Sequence, residues 1–84
     1  MGSLHQASYR LLLERIRSAR RAADITQAEL AEKLGTDQSF VSKYERGERR
    51  LDVLELRAIC RALGIDFVGF LSDFEKELQE RELA

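Results

Sequence analysis

The chain has 84 residues, 44% of them hydrophobic and 35% charged, and no proline, which predicts a single all-helical soluble domain with a small core. No segment approaches the ~20 apolar residues of a membrane helix, and the N-terminus lacks the basic start and apolar core of a secretory signal. The single cysteine, Cys60, cannot form an internal disulfide, so we expect a cytoplasmic protein.

The formal net charge of −1 conceals a strong asymmetry along the chain. Residues 1–50 contain ten Lys/Arg and seven Asp/Glu, whereas residues 51–84 contain four and eight. A phosphate backbone responds to the local patch and not to the sum, so the first half remains a candidate nucleic-acid surface. The alternative is an ordinary solvated surface with a chance asymmetry.

The chain is predicted to begin with a flexible tail over residues 1–7, followed by one domain over residues 8–84. His5 lies in this tail without a second ligand at metal-binding spacing, so we expect no metal site. A first helix is predicted over residues 8–23, because apolar residues recur on one of its faces. They are Tyr9, Leu12, Leu13, Ile16 and Ala23.

Arg20 falls on that apolar face, where a cation needs either a partner or a route to water. Glu45 lies at the margin of the inner face of the third predicted helix, so we predict an Arg20–Glu45 ion pair between the two helices. The alternative is that Arg20 extends to solvent. Arg17 projects away from this face and is either a phosphate ligand or a solubilising charge.

The second helix has clear start and stop signals. Thr26 can cap its N-terminus, and Glu29, three residues on, can complete a capping box. Gly35 follows the last apolar residue, Leu34, where a left-handed residue ends a helix without steric cost. Gln27 lies in the first turn, where free backbone N–H groups can hold a phosphate.

The third helix, over residues 38–46, has two different faces and a cap at Asp37 or Thr36. Val41 and Tyr44 point to one side. The opposite side has hydroxyls, an amide and cations but no acid, a composition that can hydrogen-bond base edges and phosphates. It consists of Gln38, Ser39, Ser42, Lys43 and Arg46.

Residues 26–47 closely resemble the helix-turn-helix of the phage-repressor/Cro (Xre-like) family of transcription regulators. The matching pieces are Thr26-Gln27, Leu30-Ala31, Gly35-Thr36, Gln38-Ser39, Val41-Ser42-Lys43 and Glu45-Arg46-Gly47, and the similarity extends over about residues 9–71. The resemblance implies an all-α, compact five-helix domain of the lambda-repressor-like type, with helices 2 and 3 forming the helix-turn-helix. It points to the same Arg20–Glu45 pair and to a contact between Gln27 and the DNA backbone.

The resemblance also places Gln38, Ser39, Ser42 and Lys43 at base-reading positions. A glutamine amide can pair with adenine, a lysine can donate to guanine or phosphate, and serine hydroxyls suit either. Phe40 lies between the two faces of the helix. Its ring either touches a thymine methyl or a sugar, or covers the turn.

The loop after the third helix adds Arg49 and Arg50 to Arg46 as candidate phosphate ligands, with Glu48 weakening the patch slightly. The alternative is a solvated turn. Asp52 and Glu55 can form a capping box at the start of a fourth helix over residues 53–63. Apolar residues cover most of its circumference, so we expect it to be the central buried helix, with Cys60 as a small core or interface residue.

The fifth helix is predicted over residues 67–82, after Gly64 and an Asp66 cap. Phe67, Phe70, Leu71, Phe74 and Leu78 form one narrow stripe that extends beyond the needs of a small domain. We therefore predict a homodimer in which Phe70, Phe74 and Leu78, on a dimerisation helix over about residues 66–82, meet at the two-fold axis. The alternative is a frayed helix in a monomer.

The predicted function is sequence-specific binding of double-stranded DNA by a homodimer that regulates transcription, as repressor or activator, from a (pseudo)palindromic operator. The sequence has no acid–base pair on one face, no metal-ligand spacing and no Gly-rich phosphate loop. We therefore expect no enzyme activity, no catalytic residue, no cofactor, no small-molecule ligand and no membrane partner. The alternative is a protein-interaction module, such as an antitoxin, whose main partner is another protein.

Overall fold

The structure, a computed structural model, describes residues 3–81, with side chains from Gln6 onward. Within these residues the chain forms five helices and no strand. They are α1 (Ser3–Ala22), α2 (Gln27–Leu34), α3 (Gln38–Glu45), α4 (Val53–Ala62) and α5 (Phe67–Glu80). Over this part of the chain, no helix has both the length and the apolar character needed to cross a membrane.

The helix boundaries follow from side chains that satisfy the free backbone groups at each end. Thr26 accepts a hydrogen bond from the Glu29 N–H, and Asp52 accepts one from the Glu55 N–H; both glutamates return a bond, which confirms the two capping boxes. Asp37 and Asp66 cap α3 and α5. Gly35 ends α2 with a φ of 73°, in the left-handed region that glycine enters at no steric cost.

The core lies between α1, α2, α3 and α4. Val41 and Tyr44 are 0% exposed, so α3 is anchored through the face that was predicted to point inward. The fully packed cluster comprises Leu13, Ile16, Leu30, Ala31, Val41, Tyr44, Leu56, Ile59 and Cys60. Because two residues of α3 belong to this cluster, the opposite face of the helix is turned to solvent.

The predicted tail is wrong for residues 3–7, because α1 begins at Ser3. These residues contain neither glycine nor proline, so no local signal stops the helix from extending in the N-terminal direction. Residues 1 and 2, and the His5 side chain, lie outside the described part. Residue 82, the predicted end of α5, also lies outside the described part, and the helix ends at Glu80.

The expectation that α4 is buried on most sides is also wrong. Leu56, Ile59 and Cys60 are buried, but Val53 is 62% exposed and Leu54 is 72% exposed. Within the described residues, the helix packs mainly on α2 and α5, so the side chains of Val53 and Leu54 are left largely exposed.

The helix α5 packs antiparallel along α1. Glu77 of α5 pairs with Arg15 at 3.4 Å, and Phe74 lines a groove with Tyr9 and Leu12 of α1. Phe70 packs against the core cluster. The long stripe of α5 is thus partly covered by α1 of the same chain. Phe70, Phe74 and Leu78 remain half-buried in the single chain, and the homodimer contact stays a prediction.

Candidate nucleic-acid interface

The outer face of α3 presents the predicted base-reading residues to solvent. Gln38, Ser39 and Lys43 are exposed, and Ser42 is half-buried. The Lys43 side chain has no hydrogen bond or ion pair within the described part of the chain, so its ammonium group is available to a ligand. Since neighbouring Val41 is fully buried, this outward face is fixed by the packing of the helix.

The predicted ion pair between Arg20 and Glu45 is present. Arg20 Nε lies 2.7 Å from Glu45 Oε2, and Nη2 lies 3.1 Å from Oε1. Arg20 is 7% exposed, and its Nη1 also donates to the carbonyl oxygen of Ile25 at 2.8 Å. Burial raises the pKa of the Glu45 carboxyl, but hydrogen bonds from Arg20 and Gln27 outweigh it and leave that pKa below its ordinary value.

Gln27 connects this buried pair to the first residue of α3. Its Nε2 donates to Glu45 Oε1 at 2.9 Å, and its Oε1 accepts from Gln38 Nε2 at 3.3 Å. The amide of Gln27 is thereby oriented by the core. The bond to Gln38 leaves the Gln38 carbonyl oxygen and its second N–H for a base edge, which is the pair of groups that adenine recognition needs.

Ser39 and Phe40 have clear partners inside the chain. Ser39 Oγ donates to Asp37 Oδ1 at 2.9 Å, a bond that, with the Phe40 N–H, lowers the pKa of the Asp37 carboxyl. The Phe40 ring packs edge-on against Tyr44, with centroids 5.5 Å apart, and the Arg49 guanidinium lies 4.7 Å above it. Of the two roles open to Phe40, these contacts match the one in which it covers the turn.

The three arginines that follow α3 are all engaged within the chain. Arg46 forms two hydrogen bonds with Glu48 and one with Ser42. Arg50 stacks on Tyr9 at 4.3 Å, and the Tyr9 hydroxyl accepts a hydrogen bond from the Leu51 N–H.

Arg49 is held by Glu55 at the start of α4. Its Nη1 and Nη2 lie 2.9 Å and 2.7 Å from the two carboxylate oxygens of Glu55. Sequence reasoning identified Glu55 as a capping residue but missed this second role and the stacking of Arg50 on Tyr9. Glu48 and Glu55 are close in sequence to the arginines that they bind, but which arginine each one pairs with depends on the path of the loop.

A basic groove lies beside α3, between α1 and the loop that follows α3. Arg17 lines it, half exposed and 4.0 Å from Glu45. The other cations that line the groove are Arg10, Arg46 and Arg50, and its acids are Glu14 and Glu45. Over the described residues, no group of three or more His, Cys, Asp or Glu side chains is placed to hold a metal ion.

The short helices α2 and α3, joined by a tight turn at Gly35, form a helix-turn-helix in which the outer face of α3 is exposed to solvent. This motif defines a class of proteins that bind double-stranded DNA. The sequence model of the helix-turn-helix family matches residues 16–70. The chain belongs to the XRE/Cro-type helix-turn-helix family of transcriptional regulators, which confirms the resemblance.

Known proteins support both the fold and the family. The solved structure of an XRE-family like protein from Pseudomonas syringae pv. tomato str. DC3000 is 51% identical, covers 89% of this chain and 92% of its own, and has a TM-score of 0.86. This likeness confirms the lambda-repressor-like five-helix fold.

Two curated relatives have regulatory names. An uncharacterized transcriptional regulator in the ATPase CF(0) region of Rhodospirillum rubrum is 35% identical over 63 residues, which are 75% of this chain and 58% of that protein. Control protein C.MunI from Mycoplasma sp is 33% identical over 54 residues, 64% of this chain and 73% of that protein. The chain thus spans less than two thirds of the length of the first relative.

Proposed function

We propose that this regulator binds a (pseudo)palindromic operator as a homodimer and reads base edges with the outer face of α3. The observation that carries the proposal is the acid-free surface of Gln38, Ser39, Ser42 and Lys43, held outward by two fully buried residues of the same helix. Gln38 is assigned to adenine, Lys43 to guanine or phosphate, and the serines to either.

The phosphate contacts are assigned to the residues that surround this surface. Gln27 lies in the first turn of α2, where backbone N–H groups are free to bind an anion. The cations of this set are Arg17, Arg46, Arg49 and Arg50. Arg49 also has a structural role that the other cations lack, because its bonds to Glu55 and its position over the Phe40 ring fix the path of the loop.

The proposed two-fold contact involves α5 and the junction of α4 with α5. Phe70, Phe74 and Leu78 are half-buried in the single chain, so each retains some surface for a partner. Val68, in the first turn of α5, is 71% exposed and adds apolar surface near that junction. A dimer of this kind presents two α3 helices about 34 Å apart, which matches successive major grooves.

The test is selection of bound duplexes from a random DNA pool, followed by affinity measurements across salt concentration. A specific regulator enriches an inverted repeat with half-sites about one helical turn apart and loses affinity steeply with salt. Sedimentation of the free protein and of the complex gives the stoichiometry. Absence of binding to any duplex at low salt would refute the proposal and favour a module whose main partner is another protein.

A further inference from the structure

The guanidinium of Arg46 is already occupied by an anion of its own chain. Its Nε donates to Glu48 Oε2 at 3.0 Å and its Nη2 donates to Glu48 Oε1 at 3.1 Å, so the contact is a two-point fork. The remaining nitrogen, Nη1, donates to Ser42 on the preceding turn of α3. The Arg46 side chain thus lies along the outer face of α3, between the C-terminus of the helix and Ser42, one of the proposed base-reading residues.

A DNA phosphate presents two oxygens to an arginine in the same forked geometry as a carboxylate. The Glu48 carboxylate therefore takes the position that a phosphate would take on Arg46. Both side chains are more than half exposed, at 54% and 56%, so their ion pair is weak and water can reach it. An exposed pair of this kind can exchange its anion when a stronger one arrives.

The pairing of Arg49 with Glu55 differs in this respect. Glu55 also accepts a hydrogen bond from the Asp52 N–H in a capping box, and Arg49 also donates to the carbonyl oxygen of Arg50. Exchange of Glu55 for a phosphate would therefore disturb the start of α4. Glu48 has no such second role, because within the described residues the hydrogen bonds of its side chain all go to Arg46.

We propose that Glu48 is a built-in phosphate mimic that competes with DNA for Arg46 and thereby sets the affinity and salt dependence of operator binding. This inference rests on the proposed DNA-binding function. Hydrogen bonds from Arg46, followed by its charge, hold the pKa of the Glu48 carboxyl below its ordinary value, so the competitor is ionised at neutral pH. Once Arg46 turns to a phosphate, Glu48 is left as an unpaired negative charge beside the DNA backbone.

The variant Glu48→Gln removes the competing charge and keeps the size of the side chain. We expect it to bind the operator roughly three- to tenfold more tightly at low salt. We also expect the plot of log affinity against log salt to steepen by up to about 0.9, the value for one additional neutralised phosphate. Glu32→Gln is the matched control for the same change in net charge, because Glu32 is exposed on α2 and its side chain has no hydrogen-bond partner within the described residues.

The decisive measurement is a double-mutant cycle with Arg46→Gln, using the selected operator duplex and the full chain. The proposal requires that Glu48→Gln gain much less affinity when Arg46 is absent, and that Arg46→Gln cost more affinity when Glu48 is absent. Equal gains in both backgrounds would overturn it, because simple repulsion between Glu48 and DNA acts without Arg46. No gain from Glu48→Gln, or an equal gain from Glu32→Gln, would also overturn it.

The wild-type measurement separates this inference from the function beneath it. If the wild type binds an operator and the cycle is additive, only the competition between Glu48 and DNA is refuted. If the wild type binds no duplex at any salt concentration, the proposed function fails and the inference fails with it. Thermal unfolding of each variant checks that the three exposed substitutions leave the fold intact.

Discussion

Removal of one member of the Arg20–Glu45 pair should destabilise the domain far more than removal of a surface pair. Arg20 is only 7% exposed in the wild type, and Glu45→Ala leaves its guanidinium with the Ile25 carbonyl oxygen as its one remaining acceptor among the described residues. Loss of one partner of a buried pair costs about 3–5 kcal/mol. An 84-residue domain has a total unfolding free energy of roughly 4–13 kcal/mol, so the loss is a large share of it.

The matched control is Glu77→Ala, which removes the more exposed bridges from α5 to Arg15 and Arg81. We expect that change to cost less than about 1 kcal/mol, because an exposed ion pair is weak. Both variants replace a helical glutamate by alanine, so they differ chiefly in burial. Urea unfolding followed by circular dichroism gives the two free energies on one scale.

The double variant Arg20→Ala/Glu45→Ala completes the test. When both charges are removed, neither is left unpaired, so the double variant should be more stable than the sum of the two single losses predicts. A Glu45→Ala loss no larger than that of Glu77→Ala, or strict additivity between positions 20 and 45, would show that water satisfies Arg20 and that the pair does not hold α1 to α3.

Three further expectations follow from the same contacts. Lys43→Ala should relax base preference in the selected DNA pool without changing thermal stability. The control Lys33→Ala, at the exposed end of α2, should leave the preference intact. An unchanged preference in Lys43→Ala would show that Lys43 does not contact the bases. The pKa of Glu45 is lowered in the folded state, so its contribution to folding stability is present above the unfolded pKa of about 4.3 and is lost as pH falls through the folded pKa. The stability of Glu45→Gln should therefore fall less steeply with pH below about pH 5 than that of the wild type. Equal slopes of stability against pH in the two proteins would contradict this. Tyr44→Phe should raise the free energy of unfolding by about 1 kcal/mol, because the buried hydroxyl has no hydrogen-bond partner among the described residues. A decrease in that free energy, measured by urea unfolding, would indicate that the hydroxyl does form a hydrogen bond.

Signals within one turn of the chain were predicted correctly from the sequence. Capping by Thr26 and Asp52 depends on residues three positions apart, so local spacing contains the whole interaction. The Arg20–Glu45 pair spans 25 positions, yet it was predictable because a cation on an apolar stripe has few ways to be satisfied. Strong constraints of this kind leave a signature in the sequence even when the partner is distant.

Other features depend on geometry that the pattern does not encode. Val53 and Leu54 look like core residues in the sequence, but α4 has neighbours on only part of its circumference. The pairing of Arg46 with Glu48 requires the backbone to turn at Gly47, which has a φ of 79°. Long exposed side chains have many rotamers of similar energy, so their partners follow from the loop path and not from the order of residues.

The contacts of α3 link the stability of the fold to the orientation of the side chains that are proposed to contact the bases. A helix of eight residues is marginal alone, so its orientation comes from its packing and from the pairs at its ends. Glu45 holds α1 through Arg20 and orients Gln27, and Gln27 in turn accepts a bond from Gln38. A change that frees Glu45 therefore weakens the core and releases the first reading side chain together. Stability and base preference cannot vary independently at this position, whereas at Lys43, which has no such bonds, they can.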